Sequence, residues 1–158
     1  MSIRSEVEHL RRVPLFADID PAQLQVLVFS ADRLEVAAGD NLFEAGSLIG
    51  AGHLVLQGRG EVLGPEGADA EPVALVEPGA FLGELAMIAD QPVSVTVRAK
   101  SRMRILRIGH VLFLRVCGEF PEVAVKVLDA LAARLDASLK DLNEARTYFD
   151  RARRFSRS

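Results

Sequence analysis

GELAMIADQPVSVTVRAK, residues 83–100, sets a glycine and a carboxylate at the mouth of a short apolar segment. It then breaks at Gln91-Pro92 and continues as an alternating run. Gly83 has no Cβ, so a ligand can approach its backbone closely. A helical turn starting there would offer free N–H groups and the positive end of the helix dipole. Glu84 in that turn can accept hydrogen bonds from a sugar hydroxyl. It would repel a phosphate unless a cation stood between them, yet no Arg or Lys lies between Gly83 and Val97. A purely structural account also fits: a first-turn Glu gains about 0.3–1 kcal/mol from the dipole, with Leu85, Met87 and Ile88 as core. Val93, Val95, Val97 and Ala99 alternate with Ser94, Thr96, Arg98 and Lys100, which reads as a strand with one apolar face. Arg98, Lys100, Arg102 and Arg104 follow as solvated strand and turn charges.

Outward from this stretch the chain divides into three zones. The first, Ser2 to Ala31, reads as helical. Ser5 is placed to cap EVEHLRRV, with Glu8 as its capping-box partner. Asp20-Pro21 then opens a second helix, with Asp as N-cap and Pro in the first turn. The second zone, Asp32 to Ile108, is glycine-punctuated and strand-like. The runs RLEVA, HLVLQ, EVLG, PVALV, VSVTVRA and RMRILRI are separated by turn signals such as AAGDN, EAGS, QGRGE, GPEGADAE and EPGA. Strands at this spacing predict a sandwich or barrel rather than βαβ units.

The third zone, Gly109 to Ser158, is helical again, with Gly118 and Pro121 separating a short helix from a long one. No Gly or Pro occurs from residue 122 to Arg154, which predicts a continuous helix of roughly 50 Å. Leu128, Leu135, Leu142 and Phe149 recur every seven residues, and Leu131 fills one intervening position. A seven-residue repeat favours a helix–helix seam, whereas an ordinary amphipathic helix would lie on the β domain. A small barrel is shorter than such a helix, so the far end must overhang and needs a partner. A homodimer through this helix, or a partner protein, is the expectation.

Bulk properties narrow the function classes. The 158 residues carry a net charge of −3, which lacks the strong positive field of a nucleic-acid binder. The exception is the tail DRARRFSRS, with Arg151, Arg153, Arg154 and Arg157 against one Asp. Cys117 is the single cysteine and suits a reducing compartment. The N-terminus has no apolar h-region and no window is apolar enough to span a membrane, so a cytoplasmic protein is expected. His9, His53 and His110 are isolated in sequence, no metal-ligand spacing occurs, and no nucleophile elbow or phosphate loop is present. Neither a metal, a cofactor nor an enzyme is expected, and His53 reads as a structural side chain.

The pattern as a whole resembles the cyclic-nucleotide-binding domain, a family that includes bacterial catabolite activator proteins, regulatory subunits of protein kinase A and cyclic-nucleotide-gated channels. The resemblance runs from about Val13 to Leu135. It is carried by LFADIDPAQLQVL, by the glycine-spaced EVAAGDNLFEAGSLIGAGHLVLQGRGEV and by FLGELAMIADQPVSVTVRAKSRMRILRI. The family's phosphate-binding cassette reads F-G-E-L-A, a few variable residues, then P-R-x-A-T-V. Gly83, Glu84, Leu85, Ala86, Pro92, Thr96 and Val97 match it.

The resemblance implies a mainly β fold: a jelly-roll-like β-roll (double-stranded β-helix) with N-terminal helices and a long C-terminal helix. Residues 1–118 would form the cyclic-nucleotide-binding-like unit and residues 119–158 the long helix and basic tail, with no helix-turn-helix domain. It further implies that Gly83, Leu85 and Ala86 approach the cyclic phosphate, that Glu84 holds the ribose 2′-hydroxyl and that Ser94 contacts phosphate or base. The family's phosphate-pairing Arg falls at Val93, and its usual Ala at Val95. Losing one partner of a buried ion pair costs about 3–5 kcal/mol, or roughly two to four decades of affinity. The candidate ligand is therefore cAMP or cGMP, with binding weak or lost. The alternatives are a genuine sensor using different contacts and a structural dimerisation module.

Overall fold

The computed structural model describes residues 2–64 and 71–156. Most of the turn GPEGADAE, and Arg157 of the basic tail, lie outside them. The chain opens with helix α1 (Ile3–Arg11), a 3-10 turn (Pro14–Phe16) and helix α2 (Pro21–Ser30). Asp20 caps α2 as expected, its Oδ1 accepting from Ala22 N at 2.8 Å. The cap of α1 is Ser2 rather than Ser5: Ser2 Oγ accepts from Ser5 N at 3.2 Å. Starting earlier completes the turn that buries Val7 and Leu10 on one face. Glu8 pairs with Arg11 at 3.5 Å instead of reaching back to the cap.

Eight strands follow: β1 (Asp32–Val36), β2 (Asn41–Phe43), β3 (Ala51–Gln57), β4 (Gly60–Leu63), β5 (Ala74–Val76), β6 (Phe81–Leu82), β7 (Thr96–Ala99) and β8 (Met103–Gly109). They form two four-stranded antiparallel sheets, ordered β1-β8-β3-β6 and β2-β7-β4-β5. Each of the six expected runs contains a strand; β2 and β6 are additional. Helix α3 (Glu84–Ala89) sits between β6 and β7, and helices α4 (His110–Glu119) and α5 (Pro121–Ser156) complete the chain.

The two-residue alternation of strands explains the layering. In β3, Val55 points into the cluster between the sheets, and Leu54 and Leu56 into the cluster under the helices. In β8, Met103 and Ile105 face the first, Leu106 and Ile108 the second. This sheet is therefore covered on both faces, which is why AGHLVL reads as a near-continuous apolar run. Gly52 is required here: a Cβ would lie 2.4 Å from the Phe81 ring, which itself stacks edge-on against Phe16 at 5.2 Å.

Helix α5 has 36 residues, so it is about 54 Å long. Val123 and Val127 are fully buried against the helix-side core, and Leu131 is partly buried against it. From residue 132 to residue 154 every side chain is exposed. The helix overhangs the body, as its length required. Leu128, Leu135, Leu142 and Phe149 are each more than half exposed, whereas Leu131 belongs partly to the body. No helix among the described residues is long and apolar enough to cross a membrane.

Candidate functional site

All six candidate residues meet in one cleft of about 260 Å³: Gly83, Glu84, Leu85, Ala86, Val93 and Ser94. Phe43, Phe81 and Leu82 wall it further, with Pro92 and Val95 at its side. A wider concavity of about 730 Å³ is lined entirely by α5 residues between Asp136 and Arg151. It has one wall only, and none of the candidate residues.

Local geometry follows from a few residues. β6 pairs with the end of β3, placing His53 opposite Leu82 and Leu54 opposite Phe81. Gly83 then turns the chain into α3 with φ +78°, a left-handed conformation that favours glycine. A Cβ there would stand 3.0 Å from the Ala51 carbonyl oxygen and 3.2 Å from Ile49 Cδ1. In α3, Ala86 joins the cluster between the sheets and Met87 the helix-side cluster. Leu85 is not core: it is 53% exposed at the cleft rim. A helix this short, wedged between two clusters, buries Ala86 and Met87 and turns its neighbour outward. The protonated Nδ1 of His110 donates to Met87 O at 2.5 Å, fastening α3 to α4.

Val93 is held from both sides. Its N–H donates to Ser47 O at 3.0 Å, and its carbonyl accepts from Gly46 N at 2.7 Å. Its side chain is 9% exposed and packs with the cluster between the sheets. Val97 and Ala99 share that cluster, so the apolar face continues, although the strand itself begins only at Thr96. Ser94 is exposed at the edge of the cleft.

The charges sort differently from expectation. Arg98 is not a freely solvated strand charge: it is partly buried and bonds Glu61 through Nε at 3.1 Å and Nη2 at 2.5 Å. Arg102 pairs with Glu35. The cation that meets Glu84 comes from much further along. Arg134 of α5 donates from Nη1 to Glu84 Oε2. The Glu84 side chain is 19% exposed and that of Arg134 53%. The hydrogen bond to Glu84 raises the guanidinium's pKa above its ordinary value.

Sequence reasoning missed Arg134. Its signal was weak: it is one of five arginines on α5, one turn beyond Leu131. His53, by contrast, sits where expected. It is buried in β3, its ring 5.6 Å from that of Phe43, which lines the cleft. Burial, helped by Arg107, pushes its imidazole pKa down to about 4.

This cleft beside a glycine-led helix, in a two-sheet roll, coincides with a family match. Residues 33–120 match the model of the cyclic nucleotide-binding domain. The chain belongs to that family. A cAMP-dependent protein kinase regulatory subunit of Emericella nidulans is 30% identical over 109 residues, covering 69% of this chain and 26% of that protein. An uncharacterised NTE family protein of Mycobacterium bovis is 33% identical over 129 residues, covering 82% of this chain and 22% of that protein. The chain thus spans about a quarter of the length of these curated relatives. Among solved structures, the N-terminal domain of a transcriptional regulator from Streptomyces coelicolor is similar with a TM-score of 0.75 and 32% identity, covering 82% of this chain and 94% of that one. As in other members of this fold, the cyclic nucleotide-binding domain here has a jelly-roll β core with flanking helices and a long C-terminal helix.

Proposed function

We propose that this chain is a cytoplasmic regulatory domain whose affinity for cyclic nucleotides is weak or lost, and which associates through α5. The observation that carries the first part is Val93. It stands where the family's cassette has its phosphate-pairing Arg, with its side chain in apolar packing. Valine offers a phosphate neither charge nor donor. The residues lining the cleft include Glu84 but no Arg or Lys. Ser94 is the lining hydroxyl, and the likeness to a kinase regulatory subunit and to the N-terminal domain of a transcriptional regulator supports a domain that acts by binding. The test is a calorimetric titration of the full chain with cAMP and with cGMP. Binding weaker than about 10 μM is expected; tighter binding to either overturns the reading.

The second part rests on the exposed repeat Leu128, Leu135, Leu142 and Phe149 on a helix that overhangs its own domain. A second copy of the helix is the occupant it fits, since a heptad stripe is complementary to itself. A partner protein with a similar helix is the other outcome. A monomer in light scattering overturns self-association.

One observation favours a second reading, in which the cleft remains a ligand site using different contacts. Glu84 and Ser94 line it, and a cation, Arg134, is in reach of Glu84.

A further inference from the structure

We infer that Arg134 supplies the anion contact of the cleft, so that the ligand it takes is a small phosphorylated sugar or nucleotide gripped from the long helix rather than from the strand after Pro92. This rests on the reading that the cleft remains a ligand site, and it names the group that makes it one.

Three observations combine. Val93 removes the cation from the cassette and leaves Glu84 as the charged side chain lining the cleft. A lone carboxylate there would exclude an anion. The Arg134 guanidinium is bonded to that same carboxylate and cancels its charge. The guanidinium is also under-used. It carries five N–H donors in a planar fork, and among the described residues its hydrogen bond is the one from Nη1 to Glu84 Oε2. Its side chain is half-exposed, which leaves donors beyond that bond open to solvent beside Glu84, a residue that lines the cleft. A guanidinium can hold a carboxylate with one edge and phosphate oxygens with another.

Arg134 is also free to adjust without detaching α5. Val123 and Val127 anchor that helix through complete burial, whereas an exposed ion pair contributes little to its attachment. Because the guanidinium arrives from α5, filling the cleft would bear on the helix whose far end carries the exposed leucines.

The experiment is calorimetry on the full chain with cAMP and, separately, adenosine, up to millimolar concentration. Adenosine keeps the base and ribose and lacks the anion. In the natural chain cAMP is expected to bind roughly tenfold or more tightly than adenosine, the margin of a charge-assisted hydrogen bond. In Arg134→Met, which keeps an apolar stem, that margin should vanish. Arg134→Lys should keep part of it, since the charge remains and the fork does not. Equal binding of the two ligands in the natural chain, or an undiminished margin in Arg134→Met, overturns this inference alone. Binding of neither ligand overturns the ligand-site reading and this inference with it.

Discussion

The guanidinium of Arg134 is hydrogen-bonded to the carboxylate of Glu84, 50 residues earlier in the chain. The bond joins the overhanging helix to a residue that lines the cleft. Its arginine end is half-exposed, so solvent screens it. Exposed pairs of this kind contribute about 0–1 kcal/mol. Glu84→Ala should therefore lower the urea-unfolding free energy by no more than about 1 kcal/mol. A loss several times larger would show that the pair, and not burial of Val123 and Val127, holds α5 to the body.

Gly83 is a sharper structural requirement. Its left-handed backbone costs a residue with a side chain about 1–2 kcal/mol, and a Cβ would press on the Ala51 carbonyl oxygen at 3.0 Å. Gly83→Ala should destabilise the domain by at least about 1–2 kcal/mol in chemical denaturation. An unchanged midpoint would mean that the turn into α3 relaxes freely.

His53 makes stability depend on pH. Its native pKa of about 4 lies below the ordinary 6.5, because burial disfavours the charged ring. The folded state therefore binds fewer protons than the unfolded chain between those values. Stability falls as pH drops through 6.5 towards 4. From pH 7 to pH 5 the contribution is about 2 kcal/mol. His53→Phe should lose less unfolding free energy over that interval than the natural chain, by that amount. Equal losses in the two proteins would show that the buried ring is not the group responsible.

Leu135→Lys tests the helix seam. Leu135 is 58% exposed, so the change should leave the thermal midpoint of the monomer within a few degrees. Self-association in light scattering or sedimentation should be abolished. A variant that remains dimeric would place the contact elsewhere.

Much of this was legible in the sequence, for physical reasons. Strand runs such as RMRILRI carry their own alternation, and the uninterrupted α5 follows from the lack of Gly and Pro after Pro121. The cassette from Gly83 to Ser94 is contiguous enough that its residues reach one cleft without help from distant chain. Two strands were not legible: β2 and β6 have three and two residues, too few to show a period, and tertiary pairing alone makes them strands. The cap of α1 was read one turn late, at Ser5, because the capping-box spacing to Glu8 does not show where the buried face of the helix begins. Leu85 looked like core because apolarity does not say which face of a six-residue helix is turned inward. Arg134 was beyond reach because its contact depends on how α5 leaves Phe120 and brings one side chain to Glu84, 50 residues earlier.

Val93 remains the centre of the account, and paired titrations with cAMP test it most directly: the natural chain beside Val93→Arg. The natural chain should bind more weakly than about 10 μM, and the variant about two decades or more tighter, because one guanidinium restores the phosphate contact in a cleft otherwise intact. Tight binding by the natural chain, or no gain in the variant, would contradict it.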